Sequence, residues 1–278
     1  MKLGIHVNTF RRPTLEEALD AVAEHSLECV HFNMAAAGVP AMPERIDEDL
    51  CDRITGALAK REIAMASLSA TFNMIHPSVD VRRAGLRRLE AIASRARQLG
   101  TTLLTLCTGT RDRDSMWRRH PDNDTAAAWD DLVTSIRAAL EIAQRHRVIL
   151  GVEPEVSNVV DSAAKARRLL DEMNSPRLKI IMDGANLFHA GELLRMHEIL
   201  DEAFDLLGDD VVLAHAKDLD RDGQAGHLAA GQGVLDYDYY IELLSNSGFD
   251  GALILHSLTE ADVDRSVALL REKIVVSG

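Results

Sequence analysis

Eight short aliphatic runs, spaced roughly 35 residues apart with helix-forming stretches between them, constrain this chain more than any other feature. They fall at 3–7, 28–32, 63–69, 102–107, 148–153, 178–183, 211–216 and 252–256. Parallel strands covered by helices on both faces read as continuous apolar runs, not as an alternating pattern. Strand and helix repeated eight times predicts an α/β fold of the closed (β/α)₈ TIM barrel type. The 278 residues fit one such barrel, so 1–278 is read as a single domain. With 46% hydrophobic but only 4% aromatic residues, the core must be aliphatic. Helix signals agree: Thr14 and Glu17 form a capping box, 81–99 has helical spacing and stops at Gly100, and Asp161 or Ser162 caps a helix through Met173.

The last four runs each end on a residue able to bind a divalent cation: Glu153, Asp183, His215 and His256. Side chains at the C-terminal ends of barrel strands converge on one mouth, where active sites sit. Two carboxylates and two imidazoles suit Mn²⁺ best here, with Mg²⁺, Co²⁺ and Zn²⁺ as other candidates. A lone His or Asp at a strand end is commonly a cap or loop contact, but four in consecutive units point to a metal.

Charge and cysteine usage exclude other classes. A net charge of −13 argues against nucleic-acid binding, which draws on a basic face. Cys29, Cys51 and Cys107 have no paired spacing and read as reduced structural thiols. No run approaches a membrane span, and MKLGIHVNTF enters a strand directly, so a cytoplasmic protein is expected. The expected partner is a small polyhydroxylated molecule, with no membrane or nucleic acid and with a homodimer left open.

Four motifs then occur in a telling order: LGVEPE with Glu153, MDGAN with Asp183, AHAKD with His215, and GQGVLDY before the last run. In this order they resemble the xylose isomerase-like TIM barrel superfamily, in its sugar phosphate isomerase/epimerase branch, over essentially the whole chain. The resemblance implies one divalent metal held by Glu153, Asp183 and His215, with position 256 as the fourth ligand. The family usually carries Glu there, and this chain has His256. In the family's epimerases that Glu is also one of two acid/base carboxylates. Here His256 reads as a ligand, as an acid/base group, or as a structural residue.

The implied activity is metal-dependent isomerisation or epimerisation of a small sugar, sugar phosphate or related carbonyl compound. Glu153 would take the proton next to the carbonyl, and Lys217 would oppose the developing oxyanion. The nearest alternative is dehydration of an inosose- or dehydroshikimate-like substrate. Phosphodiester hydrolysis is disfavoured by charge and by Asn186, where sugar epimerases and the related DNA-repair endonucleases often carry His and which is no second-metal ligand. A non-catalytic metal- or sugar-binding barrel stays open because of position 256.

Further candidates line the expected pocket. Asn186 offers an amide to a substrate hydroxyl. Lys217 either acts on substrate or is neutralised by Asp218 or Glu155. Glu155 shares the face of Glu153 as a reserve ligand or a hydrogen-bond acceptor. His6 reads as a substrate contact or a satisfied core histidine. Phe72, Asn73 and His76 follow the third run as a pocket rim. The segment 109–124, carrying Arg111 and Trp117, reads as a lid. Gly231 and Gly233 read as tight turns, since a lone GxG is weak evidence for a phosphate loop.

Overall fold

In the computed structural model, which describes residues 1–276, the aliphatic runs form eight parallel strands closed into a barrel. The strands are β1 (Lys2–His6), β2 (Cys29–Phe32), β3 (Ala64–Ser69), β4 (Leu103–Cys107), β5 (Ile149–Glu153), β6 (Leu178–Asp183), β7 (Val211–Asp218) and β9 (Ala252–Leu255). A two-residue strand, β8 (Leu228–Ala229), folds back antiparallel on β7. Pairing of β1 with β9, β9 with β7, and β7 with β6 closes the ring. Among the described residues eight α-helices cover it: α1 (Leu15–Glu24), α2 (Glu48–Ala59), α3 (Val79–Ala96), α4 (Ala126–His146), α5 (Ala163–Met173), α6 (Met196–Leu207), α7 (Tyr237–Asn246) and α8 (Val263–Val276). None of them is long and apolar enough to cross a membrane.

Local chemistry sets the element ends. Thr14 and Glu17 form the expected reciprocal capping box on α1, and the Ser162 hydroxyl accepts from the Lys165 N–H to start α5. Helix α3 ends four residues before Gly100, which turns the chain at φ +95°. Three strand ends differ from expectation: β7 runs two residues further than expected, to Asp218, and β1 and β9 stop one residue short. β1 stops at His6 because its Nδ1 accepts the Asn8 N–H and draws residues 7–9 into a 3₁₀ turn. β9 stops at Leu255, so His256 lies one residue beyond the strand. Its N–H still donates to the Ala216 carbonyl, and Ser257 then leaves at φ +54°.

The register places the chemistry. Cys107 pairs with Glu153 and Asp183 pairs with His215, so neighbouring strands deliver their last polar residues at one height. Below them an inner plug of Leu103, Ile181, Leu213 and Ile254 fills the barrel floor. The polar ends are therefore held at the mouth and cannot sink.

Candidate active site

Glu153, Asp183 and His215 meet at the mouth with one ligand atom from each inside a span of 4.8 Å. His215 Nδ1 lies 3.2 Å from Glu153 Oε1 and 3.5 Å from Asp183 Oδ2. Lys217, two residues along β7 and on the same face, reaches both carboxylates. Its Nζ is 2.8 Å from Asp183 Oδ2 and 3.4 Å from Glu153 Oε1. The expected neutralising partners, Asp218 and Glu155, are thus replaced by the two carboxylates of the site. The reason is parity, because Asp218 points to the other side of the strand.

Four ionisable groups packed this closely out of water govern one another's charge. Burial would raise the Glu153 pKa, but Lys217 and His215 hold it well below the usual carboxylate range. Burial would lower that of His215, yet Glu153 and Asp183 raise it to about 9. Lys217 is likewise desolvated, and Asp183 and Glu153 hold it firmly charged. His215 Nε2 is buried without a hydrogen-bond partner. Two carboxylates and an imidazole fit a divalent cation of the hard-to-borderline class. The expected fourth ligand stands apart from this group. The His256 ring stacks on His215 at 5.1 Å between centroids with planes 12° apart, and its Nδ1 faces the Ser257 hydroxyl at 3.1 Å.

The residues around the group fall into three sets. Asn186 is a clamp: its Nδ2 donates to Glu153 Oε1 at 2.7 Å and its Oδ1 accepts from the Gly226 N–H at 2.9 Å. Both ends of the amide expected for substrate are already engaged. Glu155 is buried, accepts from the Ser157 N–H and Asn158 Nδ2, and is pushed up in pKa by that burial. Imidazoles form the third set. His6 stacks on His31 at 4.9 Å and meets His256 edge-on at 5.2 Å. Burial, reinforced by His215, lowers His6 to about 4, and burial also drives His31 and His256 below the normal range. These three rings are neutral at physiological pH.

A cavity of about 470 Å³ opens above the group. Its wall includes Glu153, Glu155, Asn186, His215, Lys217, His6 and His256, as expected, and Trp117 from the 109–124 segment. Four expected contacts are elsewhere. The Phe72 ring packs over Gly85 of α3 and Asn73 is spent on Thr110, so neither forms the rim. Arg111 donates to the Ile75 and Ala127 carbonyls and pairs with Asp131 at 2.7 Å. His76 is turned to the Arg113 carbonyl and the Ser78 N–H. Both serve the base of the 109–124 segment, outside the cavity. Sequence reasoning passed over His31, Met42 and Met116, which also line it. His31 carried the signal that flagged His6, a polar residue inside an apolar strand.

The 109–124 segment is folded back on itself. Gly109 turns at φ +82° with its N–H on Asn158 Oδ1, and a side chain there would strike Asn73. Asn73 holds Thr110 through both backbone groups, and Arg119 bridges Asp124 and Asp161. Arg111 and Arg119 tie the segment down, while Met116 and Trp117 are presented to the cavity.

Comparison with known proteins agrees with this architecture. The family model described as xylose isomerase-like TIM barrel matches residues 19–273. The chain belongs to that family. No curated protein matches it in sequence. Among solved structures it is similar to a D-tagatose 3-epimerase-like protein, with TM-score 0.79, 16% identity, and 100% and 98% of the two chains covered. It also resembles a probable 3-DHS dehydratase from Bacillus anthracis, with TM-score 0.76, 16% identity, and 98% and 99% covered. A third likeness is the IOLI protein with a bound zinc atom, with TM-score 0.73, 14% identity, and 100% and 98% covered. At these identities the likeness is one of fold. Membership of the xylose isomerase-like family adds that the mouth of the barrel is the place to look for chemistry.

Proposed function

We propose that this protein is a divalent-metal-dependent isomerase or epimerase of a small polyhydroxylated carbonyl compound. The observation that carries the reading is the convergence of Glu153, Asp183 and His215 at the barrel mouth, beneath a cavity of monosaccharide scale. A cation held there by these three residues would polarise a substrate carbonyl and acidify the adjacent C–H. Its most suitable identity is Mn²⁺, while the zinc printed for the IOLI protein makes Zn²⁺ a second choice.

The chain's own residues supply the rest. Glu153 lines the cavity and is kept ionised by Lys217 and His215, so it can accept a proton from substrate. Asn186 fixes its orientation from the far side. Lys217, permanently charged, offsets negative charge that develops on a substrate oxygen. His256 faces the same cavity as a neutral imidazole and is suited to carry a proton on the opposite side. The three free and buried thiols support a reducing, cytoplasmic setting.

Dehydration is the second reading, supported by the likeness to the 3-DHS dehydratase and by a shared first step. Incubation of Mn²⁺-loaded protein with ketoses and inososes in deuterated water tests both. Metal-dependent deuterium uptake next to the carbonyl is expected, and Glu153→Gln should abolish it. Ultraviolet absorbance from a new double bond would assign the dehydratase. Absence of exchange with every compound, in protein that holds metal, would overturn the enzymatic reading.

A further inference from the structure

In the proposed reaction the proton on the face opposite Glu153 falls to a neutral imidazole, which has a single N–H to give. Giving that proton unaided would leave an imidazolate. The ring stays neutral only if it takes a proton at Nδ1 as it gives one up at Nε2. The partner of Nδ1 therefore decides which ring can move a proton and which is a fixed contact. Three neutral rings line the cavity, His6, His31 and His256, and their partners differ.

His6 Nδ1 accepts the Asn8 N–H at 3.3 Å. A backbone amide only donates, so His6 keeps its proton on Nε2. His31 Nδ1 meets Ser67 Oγ at 2.9 Å, and a hydroxyl can both donate and accept. Ser67 is fully buried, however, which cuts that hydroxyl off from solvent. His256 Nδ1 faces Ser257 Oγ at 3.1 Å, and Ser257 is exposed at the edge of the cavity. Of the three rings, His256 alone meets solvent through a hydroxyl. The backbone sharpens the point. The His256 N–H is tied to the Ala216 carbonyl, and the chain then turns at Ser257 with φ +54°. Glycine adopts that conformation freely and serine at a cost, so the turn does not explain the hydroxyl.

We propose that Ser257 is a positioning residue that lets His256 relay a proton between solvent and the substrate carbon on the face opposite Glu153. The inference rests on the proton-carrying role proposed for His256 and supplies its path. Nε2–H gives its proton to the electron pair of the substrate carbanion, forming the C–H bond. Ser257 Oγ–H gives its own proton to Nδ1, and water restores the hydroxyl. The hydroxide left behind is neutralised by the proton that Glu153 releases. The ring ends as the Nδ1–H tautomer, which is the form that accepts a proton at Nε2 in the reverse direction. After product leaves, water protonates Nε2 and Ser257 takes back the Nδ1 proton, which resets the ring.

Long-range proton–nitrogen NMR reads the tautomer of each ring without any substrate, in protein loaded with diamagnetic Zn²⁺. His256 should show both tautomers in exchange, while His6 shows Nε2–H alone. Ser257→Gly suits the left-handed turn and removes the hydroxyl, and it should collapse His256 to one tautomer. With a ketose or inosose that wild type turns over in deuterated water, this variant should keep the deuterium exchange that depends on Glu153. Its net conversion to product should fall about tenfold or more. A single fixed tautomer of His256 in wild type would overturn the relay and leave the sugar-acting reading standing. So would a tautomer mixture or a conversion rate that Ser257→Gly does not change. Absence of exchange with every compound in metal-loaded wild type would instead overturn that reading, and the relay with it.

Discussion

Strands β5 to β7 and strands β1, β2 and β9 face one cavity, yet they hold their polar side chains in different ways. On the first side Glu153, Asp183, His215 and Lys217 are charged and paired within 3.5 Å of one another. On the second side His6, His31 and His256 are neutral and held by ring packing, with hydroxyl or backbone partners. The charged side persists because each ion offsets the desolvation of its neighbours. The neutral side persists because burial has removed the charge altogether. The first side is suited to hold a cation and take a proton, the second to contact substrate through neutral rings, with His256 placed to carry a proton on the opposite side.

Removing a charge should therefore cost far more than removing a ring. Glu153→Gln is expected to depress turnover by about 10²–10⁴-fold, the usual worth of a positioned proton acceptor. A comparable loss in His6→Phe would erase the contrast between the two sides. Lys217→Met should destabilise the metal-free protein by about 3–5 kcal/mol, because it leaves two buried carboxylates with only His215 opposite them. Added Mn²⁺ should restore most of that loss, since the cation takes over the positive charge. Urea midpoints with and without metal measure both effects, and an unrescued variant would show that Lys217 is purely structural.

Proton release sharpens the comparison next. With His215 held protonated up to about 9, a cation that takes its nitrogen must expel that proton. Metal affinity should fall about tenfold for each pH unit below 9. Calorimetry in buffers of different ionisation heat should find about one proton released at pH 7. The smallest effect lies in the stability of the metal-free protein. His215, raised to about 9, contributes stability that is fully present below its unfolded pKa near 6.5 and is lost as pH rises through 9. His6, lowered to about 4, acts in the opposite sense, so stability falls as pH drops from about 6.5 toward 4. Urea midpoints should peak near pH 6.5, and His6→Phe should flatten the acid limb while leaving the alkaline limb unchanged.

The charged side was also the more legible in the sequence. Strand periodicity fixes face and height, so Glu153, Asp183, His215 and Lys217 could be placed at one mouth from their spacing alone. Their partners could not be assigned that way. For Lys217 the sequence left a role on substrate or a pairing with Asp218 or Glu155 open, and its pairing with Asp183 and Glu153 depends on cross-strand register. Loop residues were harder still. Arg111 and His76 follow strands as cavity residues would, but they are spent on carbonyl groups and on Asp131. Local sequence does not encode those distant acceptors. His31 was recoverable, because a histidine inside CVHF carries the same signal as His6. Met42 carried none, since its place on the cavity wall is set by how the loop after β2 folds over the mouth.

The most direct test of the metal-centred account is the content of divalent ion in purified wild type and Asp183→Asn after equal exposure to Mn²⁺ and removal of excess. Elemental analysis gives the content, and circular dichroism confirms that both proteins are folded. The expected result is one ion per wild-type chain and essentially none in the variant. Equal metal content in the two folded proteins, or none in wild type, would contradict the account.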